Sequence, residues 1–296
     1  MSRVYDALRK LEEQGKESVT EIVKASAVPP RSAEQMLSGS PLQAHVGPQS
    51  RVVVFNDRRS PGAERFKLIR MALRNTFPAR LQNILLITSP LPRDGKSTVA
   101  LNLATSLAEE GKVKVLLLEA DLHRPTLLQH LGLGSMPGLS ELVEGQIEPA
   151  AAIRRIEPLG FYLLPSGRPP DNPTELLQSE RFSALIRDSK ASFDWVLLDC
   201  PPAYPLADVT ALRAYADGVL MVARAGYTPR EAIQEALQLF KPGHVIGMVL
   251  NAAEGVNQLY KHYYYRKDAK AASDLPVARH EGLSSGSEAL RVRHDP

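Results

Sequence analysis

The sequence predicts an α/β fold with a mostly parallel sheet flanked by helices on both faces. Short apolar runs alternate with segments of helical period between residues 83 and 250. The runs are continuously apolar, as strands are when helices cover both sheet faces. One of them, Ile84 to Ile87, leads through a polar turn into Gly95-Lys96-Ser97-Thr98 and then a helical pattern from Val99 to Ala108. In that setting backbone N–H groups and a helix N-terminus face phosphates. The Lys reaches the terminal phosphates and the following hydroxyl holds Mg²⁺. The expected architecture is therefore that of a P-loop NTPase, with ligand at the carboxyl ends of the strands. Pro90 stands where the first Gly of the usual G-x-x-x-x-G-K-[ST] pattern would be.

The elements follow in chain order. Val4, Leu8 and Leu11 repeat at helical spacing, so residues 3–15 read as an amphipathic helix that either docks on the main domain or binds a partner. Residues 26–50, rich in Pro, Ser, Gly and Gln, show no period and read as a linker. Residues 1–50 are thus an N-terminal helix with a flexible linker, and 51–256 the folded domain. A helix over 62–76 has Phe66, Ile69, Leu73 and Met71 as its apolar positions. Strands are expected at 83–88, 114–118, 161–165, 194–199, 217–223 and 244–250, and helices at 96–110, 173–190, 206–215 and 229–240. Asn172 as N-cap, Pro173 and Glu175 start the helix at 173. Beyond about Gly255 the pattern fails, and residues 257–296 read as a mobile, tyrosine-containing tail.

Composition excludes several classes. Of the 296 residues, 44% are hydrophobic and 23% charged, which suits a globular core rather than a disordered polyelectrolyte. A net charge of +3 is too small to argue for nucleic acid. The single cysteine, Cys200, excludes an intramolecular disulfide framework and a multi-cysteine metal site. No apolar run approaches the roughly 18 residues that span a bilayer, and the first residues lack a signal peptide's apolar core. A cytoplasmic protein is expected, brought to the membrane only by a partner.

A phosphate loop needs acidic partners, because Mg²⁺ is held by carboxylates, phosphates and waters. Two strand ends supply them. Glu119 and Asp121 end the run from Val115, and their period of two lets both point to one side. Asp199 ends the run from Trp195. Each acid alone could equally be a helix cap. Cys200 has no convergent His in sequence and reads as a small packed residue.

Together these residues resemble the bacterial tyrosine kinases of capsular and exopolysaccharide biosynthesis, in particular a kinase component that works with a separate membrane adaptor. The resemblance covers about residues 60–266. It rests on a Walker A-like stretch from Ser89 to Thr98 and an Asp-x-Asp-x-Arg-like stretch from Leu116 to Pro125. A Walker B-like stretch runs from Val196 to Pro202, and Glu64, Lys67 and Arg70 stand where the family has an oligomerisation motif.

The resemblance implies an ATP- and Mg²⁺-dependent tyrosine autokinase. Pro92, Arg93, Asp94, Gly95, Lys96, Ser97, Thr98 and Asn251 would bind ATP. Ser97, Asp121 and Asp199 would hold Mg²⁺, and Glu119 would orient or deprotonate the phenol. Tyr260, Tyr263, Tyr264 and Tyr265 would be the autophosphorylation sites. The implied partners are a transmembrane polysaccharide co-polymerase or adaptor, a cognate tyrosine phosphatase and further copies of the chain. Arg93 replaces a usual Gly, Glu119 replaces an Asp, and the tail tyrosines are few. These departures leave open a weakly active kinase or an ATP-binding scaffold; the other alternative, which Leu91 argues against, is a ParA/MinD-type ATPase. The latter carries an early loop Lys where this chain has Leu91.

Overall fold

The computed structural model describes residues 31–47, 50–77, 83–204 and 207–253. The expected helix at 3–15 and the tail tyrosines lie outside them.

In chain order the elements are α1 (Ala33–Leu37), β1 (Leu42–Gln43), α2 (Val53–Asn56), α3 (Pro61–Thr76), β2 (Asn83–Thr88), α4 (Lys96–Ala108) and β3 (Val115–Glu119). Then come α5 (Leu127–His130), α6 (Leu139–Glu144), α7 (Pro149–Ala152), β4 (Arg154–Glu157), β5 (Phe161–Leu164), α8 (Pro173–Gln178) and α9 (Glu180–Ser192). The chain continues through β6 (Trp195–Asp199), α10 (Asp208–Leu212), β7 (Gly218–Arg224), α11 (Arg230–Gln238) and β8 (Val245–Asn251). The strands form one sheet in the order β1-β4-β5-β3-β6-β2-β7-β8. All neighbours are parallel except β4 and β5, which run antiparallel.

The apolar runs become strands because both sheet faces are covered. Leu116 and Leu118 join one core with Phe182, Leu185 and Ile186 of α9. Val115 and Leu117 join the other with Val99, Leu103 and Leu107 of α4. Each such side chain, fully buried, contributes about 1.5–3 kcal/mol. Helix α4 is buried from Val99 to Ala108, with the sheet beneath it and α3 packed against it. A helix buried all round has no polar face to show, which explains its apolar sequence.

Register places the functional strand ends at one level. Ile87 of β2 pairs with Asp199 of β6, and Glu119 of β3 pairs with the same Asp199. Two expectations change. The single helix over 173–190 is two helices, because Ser179 turns to extended backbone (φ −67°, ψ 153°) and caps the second. Its hydroxyl accepts from the Phe182 N–H (3.1 Å) and donates to the Leu176 carbonyl (2.8 Å).

The linker reading of 26–50 does not hold for residues 32–46. Ser32 and Gln35 form a reciprocal capping box that starts α1. Met36 is fully buried, and Leu42 pairs with Ile156 to put β1 on the sheet edge. So few apolar side chains anchor the segment that no period shows in its sequence.

If this segment is part of the fold, Met36→Ala lowers stability by about 2–5 kcal/mol, the usual cost of emptying a buried site. Urea unfolding measures it. A loss below about 0.5 kcal/mol, typical of a surface change, would show the segment to be detached.

Candidate active site

The loop between β2 and α4 is built on Asp94, which is fully buried. Its Oδ2 accepts from the Leu91 N–H (3.0 Å) and its Oδ1 from the Thr228 hydroxyl (2.7 Å). The Asn251 side-chain amide donates to the Asp94 carbonyl oxygen (2.9 Å). Gly95 follows with φ 94°, and a Cβ there would lie 2.0 Å from Asn251 Nδ2. Only glycine fits this conformation and this approach. Arg93 also has a positive φ, 69°, so the family's usual glycine is replaced by a residue that strains the backbone.

Below the loop lies a cleft of about 720 Å³, lined by Pro92, Arg93, Gly95, Lys96, Ser97 and Thr98 on one side and by Asp121 opposite. Asp94 and Asn251 are not among its lining residues; they hold the loop from behind.

Lys96 Nζ lies 2.7 Å from Asp121 Oδ2 and 3.4 Å from Ser97 Oγ. Burial pulls the Lys96 pKa down, but the Asp199 and Asp121 carboxylates outweigh it and the pKa ends above the usual lysine value. Asp121 Oδ1 accepts from the Arg124 N–H (3.0 Å). Asp199 is fully buried, and among the described residues neither of its oxygens has a hydrogen-bond partner of normal geometry. Burial pushes its pKa up to about 7, only partly opposed by Lys96 and the Ser97 hydroxyl. A buried, unpartnered carboxylate is costly unless something completes it. Hard cations such as Mg²⁺ take oxygen ligands and retain phosphates and waters. Ser97, Asp121 and Asp199 fit that donor chemistry. No group of three or more His, Cys, Asp or Glu among the described residues could hold a metal ion by itself, so phosphate oxygens would have to share it.

Glu119 and Asp121 were expected to face one side, and they diverge. Glu119 Oε1 accepts from the Thr126 and Leu127 N–H groups (2.6 and 2.7 Å), and Oε2 from the Ser166 N–H (3.2 Å). Burial raises its pKa while those three N–H groups act to lower it. The longer side chain thus ties the loop after β3 to the loop after β5, and Glu119 is not among the cleft-lining residues.

Sequence reasoning passed over other residues of this wall. Arg51, His123, His130, Tyr204 and Arg224 all line the cleft. His123 Nε2 lies 2.8 Å from Asp208 Oδ2, and Asp208 Oδ1 accepts from the Thr174 hydroxyl (2.6 Å). Counted from Glu119, His123 holds the Arg position of Asp-x-Asp-x-Arg; that spacing was the available signal. Burial, Arg51 and Lys96 together lower the His130 pKa.

The proposed assembly residues make contacts within the chain. Lys67 pairs with Glu64 at 2.6 Å, while Arg70 donates to the Ser106 carbonyl (2.9 Å) and lies 3.3 Å from Glu109. The same helix exposes Leu68 and Met71.

Arg93→Gly removes the left-handed strain at the cost of some chain entropy, so stability should rise by about 0.5–1 kcal/mol in urea unfolding. A fall would show that the Arg93 side chain makes compensating contacts. For Asp199 the folded pKa lies above the unfolded one, so the folded state keeps a proton that the unfolded state has lost. Its contribution to stability therefore falls as pH rises from about 4 to about 7. Asp199→Asn should flatten that fall, leaving the variant's advantage larger at pH 8 than at pH 4. A difference independent of pH would contradict the shift.

Residues 94–242 match the family model described as an AAA domain. The chain is 33% identical over 227 residues to tyrosine-protein kinase YwqD of Bacillus subtilis, covering 74% of this chain and 93% of that protein. It is 34% identical over 190 residues to tyrosine-protein kinase ptk of Acinetobacter johnsonii, covering 64% of this chain and 26% of ptk. It is 32% identical over 218 residues to succinoglycan biosynthesis transport protein ExoP of Rhizobium meliloti, covering 72% of this chain and 27% of ExoP. The chain thus spans about a quarter of the length of these last two relatives. The solved kinase domain of VpsO matches with a TM-score of 0.58 and 29% identity, over 66% of this chain and 100% of that one. With the family model matching half of the chain and a tyrosine-protein kinase of nearly the same extent 33% identical to it, the chain belongs to the bacterial tyrosine-protein kinase family.

Proposed function

We propose that this chain binds ATP with Mg²⁺ in the cleft and transfers the γ-phosphoryl group to tyrosine, chiefly the tail tyrosines of a neighbouring copy. The observation that carries the reading is the Lys96–Asp121 pair beside the unpartnered Asp199 carboxylate at the end of the phosphate loop.

Lys96 neutralises charge on the β- and γ-phosphates, and Ser97, Asp121 and Asp199 hold the metal. The metal supplies further neutralisation of the phosphate oxygens, which is most of what phosphoryl transfer asks of a protein. Pro92, Gly95 and Thr98 shape the loop against the phosphates, and Arg93 adds a cation at its rim. Asp94 and Asn251 serve by fixing the loop. Glu119, with both oxygens occupied, acts as a positioning residue for the loops around the site rather than as a base on the phenol.

The setting is capsular or exopolysaccharide assembly, in line with the relative ExoP, a succinoglycan biosynthesis transport protein. There the chain acts on the cytoplasmic side, recruited to the membrane by a transmembrane co-polymerase or adaptor and reset by a tyrosine phosphatase. No helix among the described residues is long and apolar enough to cross a membrane. Copies of the chain assemble through helix α3. The exposed Leu68 and Met71 support that contact, while Glu64 and Lys67 pair along the helix and Arg70 ties it to Ser106 and Glu109.

Incubating the purified chain with Mg-ATP should yield phosphotyrosine that peptide mass spectrometry maps to residues 260–265. Lys96→Met should abolish it, with a loss of at least ~100-fold expected when a phosphate-stabilising cation is removed. Replacing Tyr260, Tyr263, Tyr264 and Tyr265 together by Phe should remove most of the label and leave ATP binding intact. ATP hydrolysis without phosphotyrosine would favour the ATPase or scaffold alternatives.

A further inference from the structure

The cleft carries more positive charge than its lining carboxylate balances. Asp121 is the acid among the lining residues, and it is paired with Lys96 at 2.7 Å. Arg51, Arg93, Arg124 and Arg224 line the same cleft. Among the described residues none of these four is in an ion pair. Arg93 belongs to the phosphate loop, and the Arg224 guanidinium lies over the Tyr227 ring. The proposed nucleotide contacts use neither Arg51 nor Arg124.

Both residues are held in place through their backbones. Asn102 is a buried amide in the middle of α4, a residue type with low helix propensity. Its Nδ2 donates to the Arg51 carbonyl (2.7 Å) and the Thr98 carbonyl (2.9 Å), and its Oδ1 accepts from the Val54 N–H (3.1 Å). Val52 is fully buried. The segment before α2 is thereby strapped across the first turn of α4, with Arg51 at the cleft. The Arg124 N–H donates to Asp121 Oδ1 (3.0 Å). His130 of α5 also lines the cleft. Burial, Arg51 and Lys96 lower its pKa, so both cations act on this wall.

We propose that Arg51 and Arg124, with His130 on the same wall, form a second anion site that binds the phosphate of a tail phosphotyrosine from a neighbouring copy. The choice of ligand rests on the kinase reading above. Between residues 260 and 267 the tail carries Lys261, Arg266 and Lys267 and no acid. Unmodified, it meets the two arginines as like charge. One phosphate adds about −1.5 to −2 charges, and guanidinium groups bind phosphate oxygens through paired hydrogen bonds. The site therefore prefers a tail that already carries phosphate. Tyr263, Tyr264 and Tyr265 are consecutive, and each step along the chain spans at most about 3.6 Å. Retention of the first phosphotyrosine thus keeps its neighbours at the cleft.

The test uses the full chain and two synthetic peptides of residues 257–268, one with phosphate on Tyr264 and one without. Mg²⁺ and the β,γ-imido analogue of ATP are present throughout, so that the phosphate loop is filled. Fluorescence anisotropy should show the phosphopeptide binding at least ~10-fold tighter, the size expected for hydrogen bonds to charged groups. Raising the salt concentration should shrink that preference. Arg51→Gln should reduce it and Arg51→Gln with Arg124→Gln should abolish it, with urea midpoints that match the parent's. The proposal is overturned if the two peptides bind equally, or if the folded double variant keeps the full preference. Phosphotyrosine formation by the same preparation with Mg-ATP is read separately. Phosphotyrosine without the preference sinks the anion site and leaves the kinase reading standing. The preference without phosphotyrosine supports the anion site and sinks the kinase reading.

Discussion

One ammonium group is paired with one buried carboxylate and acts at a distance on a second, at the ends of three neighbouring central strands, and the rest of the site is arranged around that imbalance. The loop after β2 delivers Lys96, β6 ends in Asp199, and Asp121 lies just beyond β3. Lys96 is paired directly with Asp121, which leaves Asp199 with only partial compensation and a pKa raised to about 7. Removing charges from water is costly unless geometry and further partners offset the loss. A chain that keeps such an acid in its interior has placed an acceptor where a cation and its phosphates can complete it.

The phosphate loop is held from outside the cleft by the far side of the sheet. Asp94 receives the Thr228 hydroxyl from beyond β7 and the Asn251 amide from the end of β8. Asn251 also closes the space behind Gly95. The last described strand is thus coupled to the loop through Asn251, within a few residues of the point where the tail begins. Arg93 puts left-handed strain into the same loop, and sites that hold a ligand commonly store strain of this kind.

Much of this was legible because parallel strands buried on both faces have no polar positions to blur them. The runs at 83–88 and 194–199 matched β2 and β6 almost residue for residue, and the loop followed from Gly95-Lys96-Ser97. What sequence could not show was where side chains turn once the strand ends. Glu119 and Asp121 share a parity, yet Glu119 is drawn to the N–H groups of Thr126, Leu127 and Ser166, partners that only the folded loops bring near. Residues 32–46 carried no period because one buried methionine and a two-residue strand fix them. His123 and Tyr204 reach the cleft from loops, where no repeat marks orientation.

The central claim is that the carboxylates around Lys96 are completed by a metal and a nucleotide together. Thermal unfolding of the full chain with ATP alone, Mg²⁺ alone and both measures this directly, because a ligand that binds only the folded state raises its midpoint. The expected result is a rise with Mg²⁺ and ATP together that exceeds the sum of the separate rises and is lost in Asp199→Asn. Additive shifts that chelation of Mg²⁺ leaves unchanged would contradict it.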